Sequence, residues 1–341
     1  MGKEALHYNL EDSGILRCRL CPHECLIADG RTGVCRVRRR EGDRLFSLNY
    51  SRVAAFSVDP VEKKPLYHFL PGSETLSFAC MGCNLGCSFC QNHSLSQVSA
   101  EESFFGNRMT PEQIVATAVS RKIPSISFTY SEPTVFFEMM LETARAAKAE
   151  GLKTILVSNG FINPAPLGEL IPFLDAANID LKAWSETFYN KFCGGYLEPV
   201  LNTLRLLRET GVWLEITTLL IPGRNDNPTE IAELMDFIAD LGPDVPWHVS
   251  RFHPQYRMTD VPPTPPELIT GILEQARRKG LHHLYAGNLH HSDFEDTLCP
   301  KCRSPLIRRS AYRIHLDQLD DDGRCRVCGS LLAGRFAKAD R

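Results

Sequence analysis

Between about Glu74 and His290, short unbroken apolar runs alternate with longer stretches in which apolar residues recur every three or four positions. The runs Thr75–Ala79, Ser125–Tyr130, Lys153–Ser158, Ala177–Leu181, Trp213–Leu220, Trp247–Phe252 and His283–Ala286 predict seven strands, each apolar throughout, as parallel strands covered on both faces are. Helices are predicted between them. Thr110-Pro111-Glu112 supplies a capping residue, a proline at the first helical position and an early acid, opening a helix to about Arg121, and Thr264-Pro265 repeats the pattern. Pro133–Glu150, closed by Gly151, and Glu198–Glu209, closed by Gly211, are helices that end on a glycine. Strand and helix in alternation imply right-handed crossovers and a parallel sheet, hence an α/β fold with a partial (β/α) TIM-like barrel.

The flanks read differently. Leu45–Val58 predicts an antiparallel pair, with Gly42-Asp43 as an earlier turn. Thr297–Phe336 is too polar and too rich in cysteine to build its own apolar core, so a metal is expected to hold it. These patterns divide the chain into an N-terminal cysteine-rich module with a β-hairpin (1–71), a core barrel (72–292) and a C-terminal zinc-ribbon-like module (293–341).

Composition narrows the class. The 341 residues are 43% hydrophobic and carry 38 Lys and Arg against 41 Asp and Glu, a net charge of −3, which excludes a disordered chain and any global basic field. No run of 18 apolar residues is present, and the start MGKEALHYNL lacks an apolar export core, so a cytoplasmic protein with no membrane partner is expected. Thirteen cysteines in such a chain point to metal rather than to disulfides. They fall into three sets of four, with Cys193 alone.

In the central set, Cys83, Cys87 and Cys90 follow the first predicted core strand, at the strand end where barrel enzymes place their chemistry. Three thiolates on an iron–sulfur cluster leave one iron with an open position. Cys80 offers a fourth thiolate, which would instead close the cluster or make a zinc site. Cys299-x2-Cys302 and Cys325-x2-Cys328, separated by 22 residues, have nearly zinc-ribbon spacing, with a second iron–sulfur cluster as the alternative. Cys18, Cys21, Cys25 and Cys35 match neither a ferredoxin run nor a common zinc finger, and both zinc and iron–sulfur remain open for them. His23 beside them reads as a polar loop residue or a further ligand. The run Arg36-Val37-Arg38-Arg39-Arg40 reads as a solvated face, or as a contact for nucleic acid or an acidic partner. Cys193 reads as a small buried hydrophobe or a hydrogen-atom donor.

The spacing C-x3-C-x2-C, with Phe89 before the last cysteine, resembles the signature of radical S-adenosylmethionine (SAM) enzymes. The resemblance implies a 4Fe–4S cluster on Cys83, Cys87 and Cys90. Its free iron would be chelated by the amino and carboxylate groups of SAM, which is cleaved to methionine and a 5′-deoxyadenosyl radical. Phe89 would lie near the adenine. Glu132 in Thr129–Pro133 would meet the SAM amino group, and Ser158 and Asn159 its ribose. Asp180-Leu181-Lys182 ends another strand, with Lys182 toward the SAM carboxylate; Leu220–Asp226 resembles a Pro-Gly-x-x-Asp loop, and His253 would reach the ribose. A narrower resemblance rests on Cys18–Cys25 with Gly30, Gly33 and Cys35, on Glu62-Lys63-Lys64-Pro65-Leu66, on Gly82–Asn92, on Phe128–Pro133, on Ile221-Pro222-Gly223 and on Gly287-Asn288. These are similar to the radical SAM member of the AmmeMemoRadiSam system, a relative of the pyruvate formate-lyase activating enzymes. That family implies Memo-like and AMMECR-type partners, a flavodoxin or ferredoxin reductant, and a small-molecule or protein substrate that the motifs do not identify. A glycyl-radical activase, an RNA-modifying radical SAM enzyme and a noncatalytic electron carrier are the alternatives, although nucleic acid is not an expected partner.

Overall fold

All seven strands of the alternating stretch form, and they line up in chain order. The computed structural model describes residues 2–11, 14–98, 104–289, 292–310 and 312–336; Met1, His290 and 337–341, which the segments above include, lie outside these. The strands are β1 (Arg52–Pro60), β2 (Glu74–Cys80), β3 (Ser125–Phe128), β4 (Lys153–Ser158), β5 (Ala176–Asp180), β6 (Trp213–Leu220), β7 (Trp247–Arg251) and β8 (Leu284–Gly287). Each of β2 to β8 pairs parallel with the next, for example Phe128 with Phe78 and Ser158 with Ile179. β1 adds antiparallel to β2, and the short strand Asn107–Arg108 pairs with β1. Among the described residues the two end strands do not pair, so the nine strands make an open sheet and not a closed barrel.

Three local expectations change. Leu45–Val58 does not fold back on itself. Arg44–Ser47 pairs with Arg38–Glu41 across the turn Gly42-Asp43, where Gly42 has φ +61°, and β1 leaves for the long edge of β2. Pro111–Ser120 has its capping box from Thr110 and Gln113, but the later helix begins at Pro266 and not at Pro265. Thr264 is occupied elsewhere, donating to the Leu220 carbonyl at 2.5 Å and accepting from the Phe252 amide at 3.0 Å, which ties the ends of β6 and β7 together. The arginine run is not a solvated face throughout. The hairpin turns Arg38 inward to 1% exposure, where Nη2 donates to Glu138 Oε1 at 2.8 Å.

The N-terminal edge of the sheet is sealed. Glu215 of β6, with no exposed surface, accepts from the amides of Tyr67 (3.0 Å) and His68 (2.8 Å), from Trp213 Nε1 (3.0 Å) and from His248 Nε2 (2.7 Å). It thereby pins the segment that follows Lys64, whose own ammonium is buried against Asp59 at 2.7 Å. The C-terminal module docks on this plug: His68 Nδ1 meets the Ala333 carbonyl at 2.7 Å, and Arg309 Nη2 donates to the Tyr67 carbonyl at 2.8 Å. That module does have an apolar core, contrary to expectation. Leu306, Ile307, Leu319 and Leu332 are buried with Cys299 and Cys325 where Pro305–Ser310 and Arg313–Leu316 pair. Among the described residues no helix is long and apolar enough to cross a membrane.

Removing the Glu215 carboxylate leaves several buried donors unpaired, so Glu215→Ala should cost about 3 kcal/mol in chemical denaturation. A loss below about 1 kcal/mol would contradict its role as the pin. Burial also holds His283 down at about 4 against an ordinary 6.5. As pH falls the unfolded chain takes up that proton first, so this contribution to stability is intact above about 6.5 and lost between there and about 4. The wild type should therefore show a lower denaturation midpoint at pH 5 than at pH 7, and His283→Phe a smaller fall; equal falls would remove His283 as the cause.

Candidate metal centre and cofactor site

At the C-terminal edge, β2 ends at Cys80 and the chain turns at Gly82, φ +115°, where a Cβ would stand 2.7 Å from Val37 Cγ1. The following loop carries Cys83, Cys87 and Cys90 and is held by backbone bonds from distant segments. Gly86 N donates to the Cys193 carbonyl (2.7 Å), Ser88 N to Phe192 O (2.9 Å), Arg257 N to Ser88 O (2.9 Å) and Gly82 N to Leu95 O (2.8 Å). The sulfurs also receive donors: Leu85 N reaches Cys83 Sγ at 3.3 Å, Asn159 Nδ2 reaches it at 3.6 Å, and Ser96 Oγ lies 3.2 Å from Cys90 Sγ. Such bonds favour the thiolate. Burial, then the charges of Glu132 and Cys87, push Cys83 well up as a free thiol, so this set suits a positive centre that would compensate thiolates, of which that of Cys87 is buried.

Cys80 stands apart. It is fully buried, and burial raises it to about 12 with the Arg52 amide facing it; its carbonyl accepts from Ser131 Oγ at 2.5 Å. The loop thus presents a set of three thiols, Cys83, Cys87 and Cys90.

The parallel sheet brings most of the predicted strand-end residues to this loop. Glu132 is 3% exposed; Oε1 accepts from Thr134 N (3.0 Å), Thr134 Oγ1 (2.7 Å) and Ser158 Oγ (2.7 Å), and Oε2 from Asn159 N (2.9 Å). Burial raises its carboxyl, while these donors oppose the rise. It braces the ends of β3 and β4, and Oε2 keeps capacity for one more donor. Asn159 Nδ2 also donates to Asn84 Oδ1 at 2.9 Å. Lys182 Nζ is 2.8 Å from Asp180 Oδ2; burial opposes its charge, and Asp180, Cys87 and Cys193 outweigh that and hold the ammonium well up. Phe89, in the cysteine loop, is buried against Phe188 with ring centroids 5.7 Å apart, and His253, two residues past the end of β7, is exposed.

Cys193, read as a hydrophobe or a hydrogen-atom donor, is fully buried near Cys87; burial and then Cys87 raise it, while it lowers Cys87. More than a hundred residues separate the two, so spacing could not reveal the contact. The only nearby signal was Gly194-Gly195: a Cβ at Gly195 would meet Leu85 Cδ2 at 2.5 Å.

Two further sets remain. Cys299, Cys302, Cys325 and Cys328 form the one group among the described residues whose ligand atoms all lie within 4.8 Å of one another. Their sulfurs pair at 3.6 Å, Cys299 with Cys328 and Cys302 with Cys325, close to the roughly 3.8 Å edge of a tetrahedron built on zinc–sulfur bonds of about 2.3 Å. The hydroxyl and amide of Ser330 hold Cys328 down at about 6. Cys18, Cys21, Cys25 and Cys35 line one pocket with Arg38, Thr134 and Val135.

Residues 79–238, which span the cysteine loop, the brace and the lysine, match the family model described as the radical SAM superfamily. The chain belongs to that superfamily, whose membership implies an enzyme with a 4Fe–4S cluster and SAM. It is 40% identical over 329 residues to the uncharacterized protein MJ0808 of Methanocaldococcus jannaschii, covering 96% of this chain and 98% of that one. It is 24% identical over 231 residues to the pyruvate formate-lyase 1-activating enzyme of Escherichia coli, covering 61% of this chain and 92% of that enzyme. The structure of Streptococcus suis SuiB bound to S-adenosylmethionine superposes with a TM-score of 0.49 at 16% identity, over 67% of this chain and 53% of that one.

The C-terminal geometry predicts a tightly held zinc ion, lost from Cys302→Ser and from Cys325→Ser together with a lower Tm. Zinc content unchanged in both variants would place the metal elsewhere.

Proposed function

We propose that this chain is a SAM-cleaving enzyme in which Cys83, Cys87 and Cys90 hold the 4Fe–4S cluster. The observation that carries the reading is the set of three thiols in the loop that follows β2, while Cys80, the last residue of that strand, is fully buried with the Arg52 amide on its sulfur. Bound there, the cluster supplies one electron to SAM, giving methionine and a 5′-deoxyadenosyl radical that takes a hydrogen atom from the substrate. The chain's own residues hold and orient the cosubstrate. Lys182 offers a cation beside Cys87 for the SAM carboxylate, with Asp180 fixing its position. Glu132 keeps one acceptor position for the SAM ammonium, and its other bonds stop it from moving. Ser158 and Asn159 are set beside it at the end of β4 for the ribose. The reading takes residues 72–292 as the catalytic unit, flanked by cysteine-rich modules 1–71 and 293–341, the last holding zinc.

The motifs of the N-terminal half support a narrower placement, with Memo-like and AMMECR-type partner proteins and a flavodoxin or ferredoxin as reductant. The similarity to the pyruvate formate-lyase 1-activating enzyme supports a second reading, in which the substrate is a glycine of a partner protein.

The test uses protein reconstituted without oxygen. Dithionite-reduced enzyme should change its electron paramagnetic resonance spectrum on adding SAM and form 5′-deoxyadenosine. Cys83→Ala should lose at least a hundredfold in product, and Cys80→Ala should keep most of it. A fully loaded cluster that ignores SAM, or a Cys80→Ala variant as dead as Cys83→Ala, overturns the proposal.

A further inference from the structure

The four N-terminal cysteines are brought together by short antiparallel pairings and tight turns, with Cys18 inside the main apolar core and Cys21 and Cys25 packed against it. Leu16–Cys18 pairs with Tyr8–Leu10 and with Leu26–Ile27, and Cys18 N donates to the Cys25 carbonyl at 3.0 Å. The return from Cys21 passes through Glu24 at φ +42°, and the approach to Cys35 runs into Arg36 at φ +62°. Gly33 lets the chain pass close to the site: a Cβ there would crowd Cys25 Sγ at 3.2 Å. Backbone amides then aim at the sulfurs, Val34 N at Cys25 Sγ (3.4 Å), His23 N at Cys21 and Val37 N at Cys35. Such donors favour the thiolate, the form that binds metal.

A second observation is independent of the cysteines. Arg38, 1% exposed, lines the same pocket. Its Nη2 is used by Glu138 Oε1 (2.8 Å) and the Leu6 carbonyl (2.5 Å). Its Nε and Nη1 are buried with no hydrogen-bond partner among the described residues. Cys18, Cys35 and Cys21 are the thiols within electrostatic reach of the guanidinium. Glu138 Oε2 beside it is likewise buried without a partner, so the guanidinium and its carboxylate share one bond, and the two free nitrogens, with three N–H bonds between them, have room for an acceptor in the pocket that Arg38 lines with the cysteines.

Spacing separates zinc from iron. One zinc ion draws four sulfurs to about 3.8 Å from one another, as in the C-terminal set. The N-terminal four share a pocket but are not among the groups whose ligand atoms all lie within 4.8 Å. A cluster seats each thiolate on a different iron, holds the sulfurs further apart and presents inorganic sulfides as acceptors. We propose that Cys18, Cys21, Cys25 and Cys35 hold a second iron–sulfur cluster, to which the free N–H groups of Arg38 donate. The site abuts the first one: His23 Nε2 lies 2.7 Å from the carbonyl of Asn84, the neighbour of Cys83, and Asn163 N donates to the Leu20 carbonyl at 3.1 Å.

The proposal does not depend on the role given to Cys83, Cys87 and Cys90, and one set of variants tests the two separately. The full chain carrying Cys83→Ala, Cys87→Ala and Cys90→Ala, reconstituted without oxygen, should keep equal amounts of iron and sulfide, thiolate-to-iron charge-transfer absorption and a reduced spectrum that SAM leaves unchanged. Adding Cys18→Ala and Cys21→Ala should remove iron and sulfide while the C-terminal zinc stays. In the triple variant, Arg38→Gln should lower the reduction potential of the remaining cluster, because donors to its sulfurs stabilise the reduced form. A triple variant that binds no iron, or a second zinc in its place, overturns the proposal, and this needs no change to the N-terminal module's own fold. Wild-type protein with no more iron than the triple variant would instead defeat the reading of the central set.

Discussion

Every strand from β2 to β8 points the same way, and the rest of the molecule depends on that constraint. Parallel pairing in chain order puts the last residue of each strand on one edge, so a polar residue just past any strand joins every other such residue. Glu132 makes that edge rigid. Its carboxylate takes donors from Thr134, Ser158 and Asn159, which locks the ends of β3 and β4, and Asn159 in turn reaches Cys83. A buried acid with this many donors is costly to move, and the cysteine loop inherits its stiffness.

The two edges of the sheet have opposite duties. At the N-terminal edge, Glu215 gathers the amides of Tyr67 and His68 with His248 and Trp213, and the C-terminal module closes over them through Ala333 and Arg309. This plug buries Glu215, His68 and Tyr285 beneath the C-terminal module. The C-terminal edge keeps exposed ends such as His253 and a lysine half-sheltered by Asp180, and the N-terminal module is laid beside it through His23 and Leu20. The three cysteine sets therefore serve different parts of one chain: one at the working edge, one beside it, and one stapling a small core beneath the sealed edge.

Buried charge is matched at most of these points. Asp59 is set against Lys64 and Tyr130, with the ammonium 4.7 Å over the Tyr130 ring, which accounts for part of the Glu62–Leu66 motif. Burial of an ion without such partners is prohibitive. Arg38 is matched only in part: Glu138 and the Leu6 carbonyl take one of its nitrogens, and two remain without a partner in a residue that lines the N-terminal cysteine pocket.

The sequence by itself determined the alternation of strands and helices, because seven apolar runs covered on both faces leave a continuous pattern, and the cysteine triad, because its ligands lie within eight residues of one another. It also marked Glu132, Ser158, Asn159 and Lys182, since a parallel sheet makes position after a strand equivalent to position in space. Where geometry depends on partners distant in the chain, the pattern was silent or misleading. Arg38 looked solvated until the hairpin turned it toward Glu138, a hundred residues on, and Thr264 looked like a cap until it tied Leu220 to Phe252. Cys193 was silent for the same reason: the turn at Phe192 and Cys193 brings a remote segment against the loop of Cys87. Local spacing is written in the chain, whereas which face a side chain presents is decided only when another element packs against it.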